Sequence, residues 1–167
     1  AYTFFKVNGI LTKSGNEFYT MVKRRMLDEG FFGADFLMRM RAPSGTFFRS
    51  INRVGALEAV AGTRHIGFEY KGSSSQFSAT AATADSEEIR DENYEARLRR
   101  GGGTAIAALA IAARHYYPSA EHTQAEYIGA AKSAWKYLEK ENSRYTNDGQ
   151  WNLVDEYCAL LAATELY

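Results

Sequence analysis

Two short stretches of the chain hold groups that could bind a polar ligand. Residues 99–104 join two arginines to three glycines and a threonine. Glycines allow a backbone to approach a ligand closely, and the first turn of a helix presents free amide groups. Residues 151–157 place two aromatic side chains around two adjacent carboxylates. Aromatic faces can stack on a ligand, and carboxylates accept hydrogen bonds from hydroxyl groups and attract an ammonium group.

Each stretch also has a purely structural interpretation. Residues 99–104 could be a helix start that needs flexible backbone, and the two carboxylates could belong to a helix cap, where the dipole favours negative charge. Tyr94, beside Asp91 and Glu92, could form a cleft wall or belong to a solvated loop. The candidate ligand-contacting residues are Tyr94, Arg100, Gly102, Thr104, Trp151, Asp155, Glu156 and Tyr157.

No spacing in the sequence indicates a metal or phosphate site. His65, His115 and His122 are not spaced as metal ligands, and the single Cys158 has neither a disulfide partner nor a ligand set around it. We predict that Cys158 is a small core residue on a helix. Gly101-Gly102-Gly103 lacks the Lys-Ser/Thr that follows a phosphate loop. The sequence therefore predicts no metal and no cofactor.

Composition limits the class of protein. The chain has 167 residues, 46% of them hydrophobic, which suits one domain or part of a larger one. Its 20 basic and 20 acidic residues form no basic stripe, so no nucleic acid partner is predicted. No apolar run approaches the roughly 20 residues of a membrane span, so no membrane partner is predicted. The compartment stays open between cytoplasm and periplasm, because a removed leader would leave the same sequence.

The central element of the predicted fold is a helix within residues 101–117. Its run from Ala105 to Ala113 is apolar without interruption, so we expect it to be buried on every side. Thr104 is the predicted cap. Arg114 and His115 suit the negative end of the helix dipole, and Pro118 should end the helix.

Before this helix, residues 1–13 are interpreted as a lead-in. A capping box at Ser14 predicts a long helix to about Arg41, with an apolar stripe that Phe18, Phe32 and Phe36 widen. Gly30 and Gly33 predict either a bend or a close neighbour. A turn over 42–45 and a short strand over 46–54 should follow. Residues 55–103 read as a long loop across one end of a helical body, with a short helical turn within 85–100.

After the central helix, two more helices are predicted. A capping box at Thr123 begins an amphipathic helix that runs to about Asn142, and Asn152 caps a final, mostly apolar helix. The last three predicted helices are therefore, in chain order, a fully apolar helix, an amphipathic helix and a mostly apolar helix. Such an inner–outer–inner alternation is expected where helical hairpins stack around a ring or solenoid, so the predicted fold class is all-α.

Several stretches resemble glycoside hydrolase family 9, whose members fold as a toroid of six helical hairpins. The likeness lies in DEGFFGADFLMRM (28–40), in PSGTFF (43–48), in the glycine-led helix GGGTAIAALA (101–110), and in YTNDG (145–149) with DEY (155–157) and AATELY (162–167). Within the family the sequence is most similar to marine bacterial exo-glucosaminidase or cellobiohydrolase-like members. The resemblance implies an (α/α)6 toroid and places residues 1–167 centrally in a catalytic domain truncated at both ends.

The resemblance implies hydrolysis of β-linked glucosides or glucosaminides by inversion, with an oligosaccharide as the substrate. It also implies that the rest of the catalytic domain is a partner, because neither the family's Asp-x-x-Asp pair nor its late glutamate has a counterpart here. We therefore assign no catalytic residue in this chain. The candidate stretches would line the sugar cleft at one end of the inner helices. The alternatives are a non-catalytic helical module that binds a glycan or protein partner, and a glycan-binding toroid without catalysis.

Overall fold

The computed structural model describes residues 1–11, 16–48, 95–143 and 151–167, and these form an all-α structure, as predicted. Its helices are α1 (Tyr2–Leu11), α2 (Glu17–Arg39), α3 (Gly102–Ala112), α4 (Gln124–Glu141) and α5 (Leu153–Leu166). A 3₁₀ turn, Leu98–Arg100, precedes α3 and agrees with the helical turn expected there. The prediction that residues 1–13 are only a lead-in is wrong, because α1 occupies most of them.

Helix α3 is the buried centre of the described structure. Every residue from Ala105 to Ala112 is buried, which confirms the expectation from its apolar run. The predicted cap at Thr104 is wrong, because α3 already begins at Gly102 behind Gly101. Gly101 has a φ of 98°, a left-handed conformation that favours glycine, and it turns the chain into the helix without a side-chain cap. The helix ends at Ala112, five residues earlier than the sequence pattern extends.

Helices α3 and α5 run parallel, and α4 runs antiparallel to both. The start of α3 meets the start of α5, where a Cβ on Gly103 would lie 2.5 Å from the carbonyl oxygen of Cys158. The end of α3 meets the start of α4, since Gln124 donates a hydrogen bond to the Ala113 carbonyl at 3.0 Å. Helix α3 is buried as expected of an inner helix, whereas α5, which was also expected to be an inner helix, exposes Leu153 and Leu160. The closed toroid itself stays a prediction.

Helices α1 and α2 form an antiparallel hairpin. A Cβ on Gly30 would lie 2.9 Å from the Phe5 ring, and one on Gly33 would lie 3.1 Å from Ala1. These glycines therefore admit a close neighbour, one of the two outcomes expected for them. Phe5 is 1% exposed and contacts the edge of Phe31 with ring centroids 5.1 Å apart, so the hairpin joins the core.

The boundaries and faces of α2 differ in part from the prediction. Ser14 lies outside the described residues, and the observed N-cap is Asn16, which accepts a hydrogen bond from the Phe18 amide at 2.8 Å. Phe18, Phe32 and Phe36 do not widen the buried stripe, because they are exposed. The predicted turn at 42–45 is present, whereas the expected strand appears within the described residues only as isolated bridges, Arg41↔Phe47 and Phe48↔Glu95.

Both later helices begin where their caps predict. Thr123 forms a capping box with Glu126, and Asn152 forms one with Asp155. Cys158 lies half-buried on α5 and packs against the core. Within the ranges that the structure describes, no helix combines the length and hydropathy needed to cross a bilayer.

Candidate ligand-binding site at the starts of α3 and α5

The two candidate stretches of the sequence lie together at one end of the helical body. The Arg99 guanidinium reaches Asp155 across the junction, with Nη1 and Oδ2 3.6 Å apart. Because α3 and α5 are parallel and start side by side, their first turns face the same end of the structure. Arg99 of one candidate stretch and Asp155 of the other therefore meet, although more than 50 residues separate them in the chain.

Buried polar groups hold this junction in place. Asn142, at the end of α4, accepts a hydrogen bond from the Leu98 amide at 2.8 Å and donates one to Asp155 Oδ1 at 3.0 Å. The other oxygen of Asp155 accepts from the Asn152 amide at 3.1 Å. Asp155 is 0% exposed. Its carboxylate is therefore committed to positioning the starts of α3 and α5 and does not face a ligand.

Gly102 also has a packing role. It is buried, and a Cβ there would lie 2.7 Å from the Leu138 side chain and 2.9 Å from the Arg97 carbonyl oxygen. The absence of a side chain lets α3 and α4 meet closely. Both buried candidates thus fit the structural interpretations of their stretches. Tyr94 lies outside the described residues.

The remaining candidates form the solvent-facing part of the site. Trp151 is 39% exposed and donates a hydrogen bond from its indole nitrogen to Glu156 Oε1. Tyr157 is 62% exposed one position further along α5. Across the junction, Thr104 is exposed and Arg100 is half-buried. The surface accordingly presents aromatic faces, a carboxylate, a hydroxyl and a guanidinium, which can stack on and hydrogen-bond to a polyhydroxylated ligand.

A second buried network supports the chain just before α3. Ser44 donates to Glu95 Oε1 at 2.6 Å, and Tyr137 donates to Glu95 Oε2 at 3.1 Å. Arg97 lies 3.9 Å from the same carboxylate. Burial raises the pKa of Tyr137, so its hydroxyl remains a donor. The network ties the turn after α2 to α4 and fixes the approach to Gly101.

The opposite end of the helices carries an ion cluster and a pocket. Glu165, 4% exposed, accepts hydrogen bonds from Tyr2 at 3.0 Å and from Arg114, and pairs with Lys6 at 2.5 Å. Burial alone would raise the pKa of Glu165, but the hydrogen bonds from Lys6, Arg114 and Tyr2 lower it below its ordinary value. An open pocket of about 420 Å³ borders this cluster, lined in part by Arg114, Gln124 and Tyr167. It lies at the opposite end of α3 from Gly103 and Thr104.

A third group of side chains has the ligand atoms to hold a metal ion, and residue spacing in the sequence did not predict it. Asp35, Glu121 and His122 offer ligand atoms that all lie within 4.8 Å of one another. Asp35 is on α2, and the other two precede the cap of α4. A separation of 86 residues hides the group from any spacing rule. The neighbouring Glu-His pair was its only local signal.

Comparison with models of known protein families and with curated proteins finds no match to this chain.

Proposed function

We propose that this chain is a segment of a carbohydrate-active hydrolase, and that the surface at the starts of α3 and α5 binds a β-linked glucoside or glucosaminide oligosaccharide. One observation carries the proposal. Trp151, Glu156 and Tyr157 are exposed around the start of α5, which packs against the start of α3 where Gly103 meets Cys158. The resemblance to glycoside hydrolase family 9 supports the same assignment, because in that family the sugar cleft lies at one end of the inner helices.

The exposed groups suit the two faces of a sugar ring. The ring faces of Trp151 and Tyr157 stack on C–H groups, and Glu156 and Thr104 bond to hydroxyl groups. Glu156 also attracts the ammonium group of a glucosamine unit.

Catalysis is assigned to residues outside this chain. Inversion requires two carboxyl groups about 6.5–9.5 Å apart with room for water between them. At the proposed surface, Asp155 is buried and bonded to Asn142 and Asn152, so Glu156 has no second free carboxylate beside it on that turn. The rest of the catalytic domain would supply both groups, and this chain would supply binding contacts.

The alternative is a non-catalytic module that binds a protein partner, and one observation favours it. Leu153, Tyr157 and Leu160 are each more than half exposed and lie at helical spacing on one face of α5. A contiguous apolar face of this kind marks an interaction surface. In the proposed hydrolase, the remainder of the domain would cover part of this face.

Isothermal titration with cello-oligosaccharides and glucosamine oligosaccharides tests the proposal. We expect saturable binding of an oligosaccharide without its hydrolysis, and Glu156→Gln should weaken binding of the glucosamine series about tenfold while changing the cello series less. Glu139→Gln, an exposed carboxylate on α4, is the matched control and should bind as the unaltered chain does. If neither oligosaccharide series bound detectably, the proposal would be contradicted. Hydrolysis by the chain alone would contradict the assignment of catalysis to residues outside it.

A further inference from the structure

We propose that Asp35, Glu121 and His122 form a binding site for a divalent transition-metal cation of the zinc type, which clamps α2 to the connection between α3 and α4. Two carboxylates and one imidazole are a donor set that zinc uses in proteins, with the fourth position left to water. The imidazole nitrogen disfavours calcium and magnesium, which prefer oxygen ligands. The site lies apart from the proposed sugar surface and does not depend on it.

The anchor of the site is Asp35. It is 5% exposed, and its partners are the Tyr127 hydroxyl on Oδ1 and the Glu121 amide, 3.3 Å from Oδ2. Among the described residues, no lysine or arginine forms an ion pair with it. A buried carboxylate carries a desolvation cost that neutral donors offset only in part. A cation at this position would supply the missing countercharge.

The other two ligands have room to close around an ion. Zinc–oxygen and zinc–nitrogen bonds of about 2.0–2.1 Å put tetrahedral ligand atoms roughly 3.3 Å apart, and the three atoms here lie within 4.8 Å of one another. Glu121 is about half exposed and His122 is half-buried, so side-chain rotation can supply an adjustment of 1–2 Å, about the difference between these separations. The Tyr127 ring meets His122 edge-on, with centroids 5.8 Å apart, and limits the orientations of the imidazole.

One contact competes with the cation. Arg39 pairs with Glu121 Oε2 at 2.7 Å, but both side chains are about half exposed, so the pair contributes little stability. Its release would let Glu121 turn toward Asp35. Metal binding therefore exchanges a surface ion pair for a bond that links two elements.

The test is a titration of the chelator-treated chain with zinc chloride. We expect one ion per chain, a dissociation constant in the micromolar range, and a melting temperature several degrees higher with zinc. His122→Asn and Asp35→Asn should each weaken binding at least tenfold. The matched controls are His115→Asn and Asp28→Asn, a histidine and an α2 aspartate outside the group, and both should bind as the unaltered chain does.

A spectroscopic readout separates a metal site from a merely structural cluster. X-ray absorption at the zinc edge should show one imidazole with oxygen ligands and no sulfur, which excludes Cys158. His122→Asn keeps the proposal falsifiable should Asp35→Asn fail to fold, because His122 is only half-buried. Absence of stoichiometric binding, or binding that His122→Asn leaves unchanged, would overturn the proposal.

Discussion

At the residue scale, buried polar side chains decide how the helices are joined. Asn142 and Asp155 fix the starts of α3 and α5, and Glu165 joins α1, the end of α3 and α5 through Tyr2, Lys6 and Arg114. None of these links follows from sequence periodicity, because each one joins side chains from different elements. Removing one partner from such a cluster leaves a buried polar group unsatisfied, which costs about 1–3 kcal/mol.

The Glu165 cluster predicts how the stability of the protein depends on pH. The folded state lowers the pKa of Glu165, so the ionised carboxylate stabilises the folded protein. This stabilisation is fully present above the ordinary carboxyl pKa of 4.5 and is lost as the pH falls through the folded-state pKa. Burial is the main cause that lowers the pKa of His115 below its ordinary value of 6.5, and the charge of Arg114 is the second cause. Because the unfolded chain then binds a proton more readily than the folded protein, the free energy of unfolding should begin to decline below pH 6.5. Thermal melts from pH 8 to pH 3 should show both losses.

Glu165→Gln separates the two losses. The variant should be about 1–3 kcal/mol less stable at pH 7 and should lose the part of the decline below pH 4.5, while the decline that begins near pH 6.5 remains. Thr164→Ala, an exposed neighbour that bonds only within α5, is the control and should behave as the unaltered chain. An unchanged acid profile in Glu165→Gln would show that the cluster does not carry this dependence.

At the element scale, close helix packing depends on glycines whose roles differ. A Cβ on Gly103 would lie 2.5 Å from the Cys158 carbonyl oxygen, whereas one on Gly129 of α4 meets nothing within 4 Å. Gly103→Ala must push α3 and α5 apart and should cost about 1–3 kcal/mol or more. Gly129→Ala should stabilise the chain by up to about 1 kcal/mol, because alanine favours a helix.

Urea denaturation of the two alanine variants measures this difference directly. Because both changes add one methyl group within a helix, they differ only in what surrounds it. Equal free energies of unfolding would mean that α3 and α5 do not pack as closely as the structure shows.

The sequence predicted the helices better than their contacts. The apolar run of α3, the capping box at Thr123 and the N-cap at Asn152 are local signals, and each was confirmed. Thr104 was wrongly taken as a cap, because Gly101 starts α3 through its backbone conformation and needs no side chain. At the candidate site, the exposed side chains could be predicted from their residue types. The burial of Gly102 and Asp155 could not, because it depends on packing between elements.

At the scale of the whole molecule, the apolar residues do not all lie in one core. Helix α5 exposes Leu153 (65%) and Leu160 (64%), and α2 exposes Phe18 (60%) and Phe32 (68%). Exposed apolar residues grouped along helix faces favour association. Both the proposed hydrolase, through the rest of its domain, and a protein-binding module would cover such surfaces.

The exposed face of α5 predicts that the chain associates with itself at high concentration. Sedimentation velocity should show a concentration-dependent increase in size, and Leu153→Glu with Leu160→Glu should shift the population toward monomer. Lys132→Glu with Lys136→Glu changes two exposed positions of α4 and should leave the association unaltered. A monodisperse monomer at about 100 μM that binds no hydrophobic dye would contradict this prediction.

The most direct test of the central claim uses Trp151 as its own reporter. The chain has two tryptophans, and Trp135→Phe on α4 leaves Trp151 as the single indole. Titration with a glucosamine oligosaccharide should then shift Trp151 emission to shorter wavelength and saturate, because a stacked sugar excludes water from the ring. A Trp151 emission that does not change, in a variant whose circular dichroism matches that of the unaltered chain, would show that this surface does not bind the sugar.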